Sequence, residues 1–219
     1  MLITMLRRRQ SRLAVLFLLL LVVLSVLVAS GFTNHWDVQA MQSFASLRRP
    51  RLTRLMQLLT DVGSGGCEIP VALGIAAALW RWKSSVAARR FLLIGVSGEA
   101  IYALVKLLMH RPRPTIVTHL SGAGWFSFPS GHATMAWIVW GFGLVLLAEL
   151  TASRRVRVTL RAAAVVLPVA ISISRVYLGV HYPTDVLGGL FLAIGWVLCW
   201  WNPDSPASRS FTSSAPATR

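Results

Sequence analysis

LAVLFLLLLVVLSVLVA, Leu13 through Ala29, is a run of 17 residues with no charge and with Ser25 as its only polar side chain. At 1.5 Å per residue a helix over these residues is ~26 Å long, close to the roughly 30 Å hydrocarbon core of a bilayer. Lipid offers no partner to backbone N–H and C=O groups, so such a segment satisfies them internally as a helix. Extended to 13–31, this stretch is the first of six; the others lie at 67–82, 91–109, 131–150, 162–178 and 184–201. A chain of 219 residues with 55% hydrophobic and 13% charged residues is too apolar for an ordinary soluble domain. The expected fold is therefore all-α, a polytopic membrane protein with six transmembrane helices in one domain over residues 1–201. Residues 202–219, rich in Ser, Pro, Ala and Thr and without apolar periodicity, are expected to form a disordered tail. Arg7-Arg8-Arg9 ahead of the first run also resembles a signal peptide, but the run exceeds the usual apolar core of about 7–15 residues, so a retained helix is expected.

The net charge of +15 would point to nucleic acid in a soluble protein. Here the basic residues sit mainly at the ends of apolar spans, and topology accounts for them; no nucleic acid is expected as a partner. With the N-terminus cytoplasmic, the inside segments hold Arg7, Arg8, Arg9, Arg12, Arg81, Lys83, Arg89, Arg90, Arg154, Arg155, Arg157, Arg161, Arg209 and Arg219, fourteen of the 22 Lys and Arg. The positive-inside rule then gives a multi-pass protein of the inner (plasma) membrane with both termini cytoplasmic.

The first outer loop, residues 32–66, carries Trp36, Val38, Met41, Phe44 and Leu47, then Leu52, Leu55, Met56, Leu58 and Leu59, at mostly three-to-four spacing. This pattern predicts two amphipathic helices on the outer surface, separated at Pro50. Arg48, Arg49, Arg51 and Arg54 form a basic cluster there, for contact with anionic head groups or for recruiting an anionic lipid. Cys67 and Cys199 fall at opposite ends of their spans, too far apart for a disulfide, and read as packing residues. No internal repeat and no metal-ligand spacing occurs, so neither metal nor cofactor is expected.

Three polar clusters interrupt this apolar chain: Lys106 with Arg113-Pro114, Pro129-Ser130-Gly131-His132, and Ser174-Arg175 with His181 and Asp185. Each lies at the end of an odd span or the start of an even one, so alternation brings all three to one face, the outer one. Lys106, Arg113 and Arg175 are the cations that a phosphoryl group needs, because its transition state spreads negative charge over the equatorial oxygens. Ser130 and Gly131 open the fourth span, where unpaired N–H groups favour an anion, and are expected to bind phosphate through the Ser130 hydroxyl and the Gly131 amide.

Written as patterns the clusters are K-x6-R-P, P-S-G-H and S-R-x5-H-x3-D, matching at all eleven specified positions. They resemble the three-part signature of the type 2 phosphatidic acid phosphatase superfamily. That resemblance implies a hydrolase acting through a phosphohistidine on His181, with Asp185 holding the other ring nitrogen. His132 would protonate the leaving oxygen and then activate water. It implies a metal-independent phosphatase for a lipid phosphate or diphosphate in the bilayer. Undecaprenyl diphosphate ranks first as substrate, by analogy with relatives serving cell-envelope lipids; phosphatidylglycerophosphate and phosphatidic acid, substrates of phospholipid metabolism, also stand open. A lipid phosphotransferase and a carrier or flippase of lipid phosphates remain alternatives. Vanadate-dependent haloperoxidases resemble the site as well, but they are soluble. The pattern leaves oligomeric state open.

Other polar residues receive plainer readings. His35, His110 and His119 are expected to be ordinary interfacial histidines. Arg111 either reaches the phosphate or snorkels to the surface. Glu99, inside the third span, is expected to fix helix packing in preference to lining a lipid-facing groove. Gly188, Gly189 and Gly195 are expected to allow close helix contacts.

Overall fold

A computed structural model describes residues 2–201, with side chains from residue 9 onward; the expected tail over 202–219 lies outside the described residues. All regular structure among them is helical. In chain order the helices are α1 (Leu2–Ala29), α2 (Asn34–Ser46), α3 (Pro50–Val62), α4 (Gly65–Trp82), α5 (Ser85–Met109), α6 (Gly131–Ala136), α7 (Gly143–Ala148), α8 (Arg154–Tyr177) and α9 (Pro183–Trp200). A π-helical turn, Trp137–Phe142, joins α6 to α7 into one span. Among the described residues five spans are long and apolar enough to cross a membrane, and α3 with α4, bent by 48° at their junction, passes the same test as a pair. The protein is a multi-pass helical membrane protein, as its hydropathy requires.

Helices α5 and α8 begin six and eight residues before the apolar stretches that announced them, at Ser85 and Arg154. Ser84 and Ser153 cause this, since each side chain accepts a hydrogen bond from the first turn, Ala87 N at 3.1 Å and Val156 N at 3.5 Å. The added turns are basic, carrying Arg89 and Arg90 on α5 and Arg154, Arg155 and Arg157 on α8.

Helices α2 and α3 follow the expected pair separated at Pro50, and α3 packs on α8 with Gly63 at its end against Ile171. The apolar period of α2 is only partly buried, with Met41 inside and Trp36 and Leu47 exposed. Trp36 is 65% exposed, whereas Asp37 and Met41, one turn apart, are each 1% exposed. A carboxylate at the centre of a buried face needs a partner, and that partner belongs to the site.

Glycines set the close contacts between spans. A Cβ at Gly195 of α9 would lie 2.9 Å from Leu18 Cδ2 of α1, and one at Gly189 would lie 2.8 Å from Ser130 O. With no hydrophobic force between helices inside lipid, such approaches supply the dispersion contacts that hold the bundle. Phe17 packs on Phe191 at 6.1 Å between ring centroids, so α1 is an integral helix of the bundle against α9. Outward-facing Val22, Val96, Leu108 and Val166 complete an apolar belt, each more than half exposed.

Candidate active site

The last turn of α5, the first turn of α6, the last turn of α8 and the first turn of α9 converge at one end of the bundle, with α2 and α3 beside them. All eight residues proposed from the sequence lie in this cluster: Lys106, Arg113, Ser130, Gly131, His132, Arg175, His181 and Asp185. His132 lies within electrostatic reach of Arg175, His181, Arg113 and Lys106.

His181 sits in the turn between α8 and α9, which Gly179 opens with a φ of +82°. A side chain there would collide with Thr118 O at 2.8 Å. The imidazole is 2% exposed. Its Nδ1–H donates to Asp185 Oδ2 at 3.3 Å, and its Nε2 accepts from Arg113 Nη1 at 3.2 Å. A guanidinium only donates, so these partners assign the neutral tautomer with the lone pair on Nε2. Burial and the Arg113 and Arg175 cations push the imidazole down to about 4, against the opposing pull of the Asp185 carboxylate.

Asp185 stands at the third position of α9, where a carboxylate both caps the helix and meets the positive end of its dipole. Its Oδ2 also accepts from Tyr182 N at 2.8 Å. Its Oδ1 accepts from Arg111 Nη1 at 2.6 Å. Arg111, read from the sequence as a phosphate ligand or a snorkelling side chain, is neither. It turns into the protein and is 8% exposed. Arg111 Nη2 donates to Asp37 Oδ2 at 2.7 Å, and its guanidinium lies 4.1 Å from the centre of the Tyr182 ring. Thr184 closes the cluster, its Oγ1–H donating to Asp37 Oδ2 at 2.6 Å and its N–H to Asp37 Oδ1 at 3.1 Å.

Lys106 and Arg175 use only part of their donors within the protein, whereas all three nitrogens of Arg113 already donate. Lys106 Nζ, buried at the end of α5, donates to Phe126 O at 2.7 Å. Arg113 is held by Val180 O at 2.7 Å and Trp125 O at 3.0 Å. Arg175 donates through Nη1 to Thr60 Oγ1 of α3, while its buried Nε has no hydrogen-bond partner among the described residues. Ser130 is fully buried as the N-cap of α6, its hydroxyl oxygen accepting from Ala133 N at 3.4 Å. Its O–H proton remains to donate to a ligand. At Gly131 a Cβ would lie 2.9 Å from Tyr102 Cζ, so glycine is required for α6 to approach α5.

Beside the cluster an apolar groove of about 420 Å³ runs between α4 and α5, with Glu68, Leu73, Gly95, Val96 and Glu99 on its walls and Met135 and Val139 behind. Glu99 is exposed and lines this groove, which corrects its reading as a packing residue. It accepts from Tyr102 O–H at 2.6 Å, joining the groove to the wall of Gly131. Among the plainer histidines, His119 bonds Pro114 O at 2.6 Å and His110 meets the Phe126 ring edge-on, 4.4 Å between centroids. Arg48, of the outer basic cluster, donates to Tyr177 O at 3.0 Å and so anchors the loop to α8.

Asp37, Thr184 and Thr60 were missed from the sequence, and Arg111 was singled out there without its partners. The available signal was scarcity: seven acidic residues face 22 basic ones, so an acid between the first two apolar runs is a candidate counter-ion for a cation elsewhere.

Comparison with known proteins gives the same picture. Phosphatidylglycerophosphatase B of Bacillus subtilis (strain 168) is 28% identical over 180 residues, 82% of this chain and 88% of that protein. Undecaprenyl-diphosphatase BcrC of the same organism is 32% identical over 130 residues, 55% of this chain and 61% of that one. The crystal structure of a transmembrane PAP2-type phosphatidylglycerolphosphate phosphatase from Bacillus subtilis superposes with a TM-score of 0.79 at 26% identity, covering 85% of this chain and 93% of that one. Residues 87–206 match the PAP2 superfamily model, and with the three clusters meeting inside that region the chain belongs to the PAP2 superfamily.

Proposed function

We propose that this membrane phosphatase removes the terminal phosphate of a lipid phosphate or diphosphate at the outer face of the plasma membrane, without a metal, through a phosphohistidine on His181. The observation that carries this reading is the neutral His181, its Nδ1–H directed at Asp185 and its Nε2 lone pair directed at Arg113.

Phosphate bound by Lys106, Arg113 and Arg175 takes the place of Nε2 as acceptor for the Arg113 donor. The lone pair then attacks phosphorus, and Asp185 stabilises the positive charge that grows on the ring as the N–P bond forms. His132, protonated in the field of the bound phosphate, gives its proton to the leaving oxygen and later takes one from the water that cleaves the intermediate. The free Nε–H of Arg175 serves the equatorial oxygens. A carrier has no use for an imidazole held in one tautomer, so this arrangement favours chemistry over transport.

Orientation follows the positive-inside count, with both termini cytoplasmic and the site outside. The groove between α4 and α5 gives the lipid chain a path from the bilayer to the site. Because phosphatidylglycerophosphatase B matches over most of the chain and the undecaprenyl-diphosphatase over about half, phosphatidylglycerophosphate moves ahead of undecaprenyl diphosphate as the first substrate to test. The test is phosphate release by purified protein in detergent with EDTA, offered both lipids and phosphatidic acid. Release of phosphate is expected. Its absence with every lipid would overturn the reading in favour of a carrier, and phosphate appearing on an added lipid alcohol would mark a phosphotransferase.

A further inference from the structure

Asp37, Arg111 and Asp185 form a buried row of alternating charge that runs from the first outer loop to the imidazole of His181. The two ion pairs measure 2.7 Å and 2.6 Å, and the three side chains are 1%, 8% and 0% exposed. Taking three charges out of water is costly, and a row so buried persists only when each member is compensated. Arg111 engages one oxygen of Asp185 and so turns the other to Tyr182 N and His181 Nδ1. Asp37 holds Arg111 in turn, with Thr184 binding both from the first turn of α9. Neither Asp37 nor Arg111 belongs to the three clusters, and Asp37 lies before the residues that match the family model.

We infer that Arg111 and Asp37 are positioning residues for the reaction, acting through Asp185: Arg111 fixes the carboxylate against His181 and restrains its basicity, and Asp37 balances the charge of Arg111. This rests on the proposed roles of His181 and Asp185. The balance has a direct chemical consequence. Without Arg111, Asp185 draws the His181 proton pair more strongly, and the imidazole takes up a proton at higher pH. Without the Asp37 charge, the Arg111 cation is less compensated, and the imidazole takes up a proton at lower pH. The other charges around His181, namely Asp185 from α9, Arg113 from the loop after α5, Arg175 from α8, His132 from α6 and Lys106 from α5, stay in place in both variants.

The experiment uses the full chain in detergent and compares wild type, Arg111→Met, Asp37→Asn and the double variant. Two quantities are read: the titration of the His181 ring resonances in histidine-labelled protein, which needs no turnover, and the pH dependence of kcat and KM with phosphatidylglycerophosphate. Each single variant is expected to lower kcat about ten- to hundredfold with KM little changed. The protonation midpoint of His181 should move up by about one unit in Arg111→Met and down in Asp37→Asn. The double variant, which replaces the buried pair by neutral groups of similar size, should fold best and return the midpoint toward wild type.

Midpoints that stay fixed, or that move the same way in both single variants, overturn the proposal and leave the row a purely structural clamp. If one single variant fails to fold, the midpoint of the other against wild type decides, and a midpoint that stays fixed or moves opposite to the stated direction overturns the proposal. Arg111→Lys keeps the charge and should stay near wild type while losing kcat; a kcat equal to wild type there overturns the proposal too. Loss of the phosphatase reading itself would show separately, as wild-type protein that releases no phosphate while the His181 midpoints still diverge.

Discussion

Arg113 Nη1 donates to His181 Nε2 across 3.2 Å, placing a cation against the atom that has to carry a lone pair. The contact favours the neutral imidazole and, in the proposed reaction, directs its lone pair toward the place where the guanidinium would hold phosphate. It also prevents His181 from serving as a general acid, since a proton on Nε2 would face the Arg113 charge directly.

Removal of the nucleophile is the first test. His181→Ala is expected to abolish turnover while the three cations still bind substrate, so lipid phosphate should protect the variant and the wild type alike against heat. Substrate labelled at its terminal phosphate, quenched in alkali, should leave label on wild-type protein and none on the variant. Turnover by His181→Ala at the wild-type rate would end the assignment.

Dependence on pH follows from the burial of His181. Its midpoint is depressed from 6.5 to about 4, so the neutral, attacking form prevails above that range and is lost as pH falls through it. The acid limb of kcat/KM, which reports the free protein, is therefore expected near pH 4 and not near 6.5. The alkaline limb of kcat reports loss of the proton on His132 in the substrate complex. A rate that climbs steadily from acid into alkaline pH, with no descending limb, would contradict the division of labour between the two rings.

At Gly131 the expected effect is steric. A methyl group there would sit 2.9 Å from Tyr102 Cζ, closer than side chains tolerate, so Gly131→Ala should push α6 from α5 and displace Ser130 and His132. A loss of about tenfold or more in kcat is expected. Adding Tyr102→Leu should recover part of it, because the ring is the obstacle. If the second change recovers nothing, some other contact requires the glycine.

Gly95 offers the reverse test in the groove. A Cβ there meets no atom within 4 Å, so Gly95→Leu fills the channel without disturbing the helix. KM for a long-chain lipid phosphate should rise several-fold, about what a loss of 1 kcal/mol in apolar contact implies. Hydrolysis of a short water-soluble phosphate ester should stay unchanged. Equal effects on both substrates would show that the chain takes another path.

The sequence by itself determined the six spans and the meeting of Lys106, Arg113, Ser130, Gly131, His132, Arg175, His181 and Asp185 at one end of them. Both follow from rules that act along the chain: a bilayer forces apolar segments into helices of fixed length, and alternation of spans puts their polar ends on one side. Tertiary structure alone decided that α3 packs on α8, that Trp36 faces out and Asp37 in, and that Glu99 opens onto a groove. It alone paired Arg111 with Asp37 and Asp185, residues 74 positions apart on either side. Local periodicity ranks positions by hydrophobicity, whereas a buried carboxylate is chosen by the cation it meets, and only the packing of helices distant in sequence determines which cation that is.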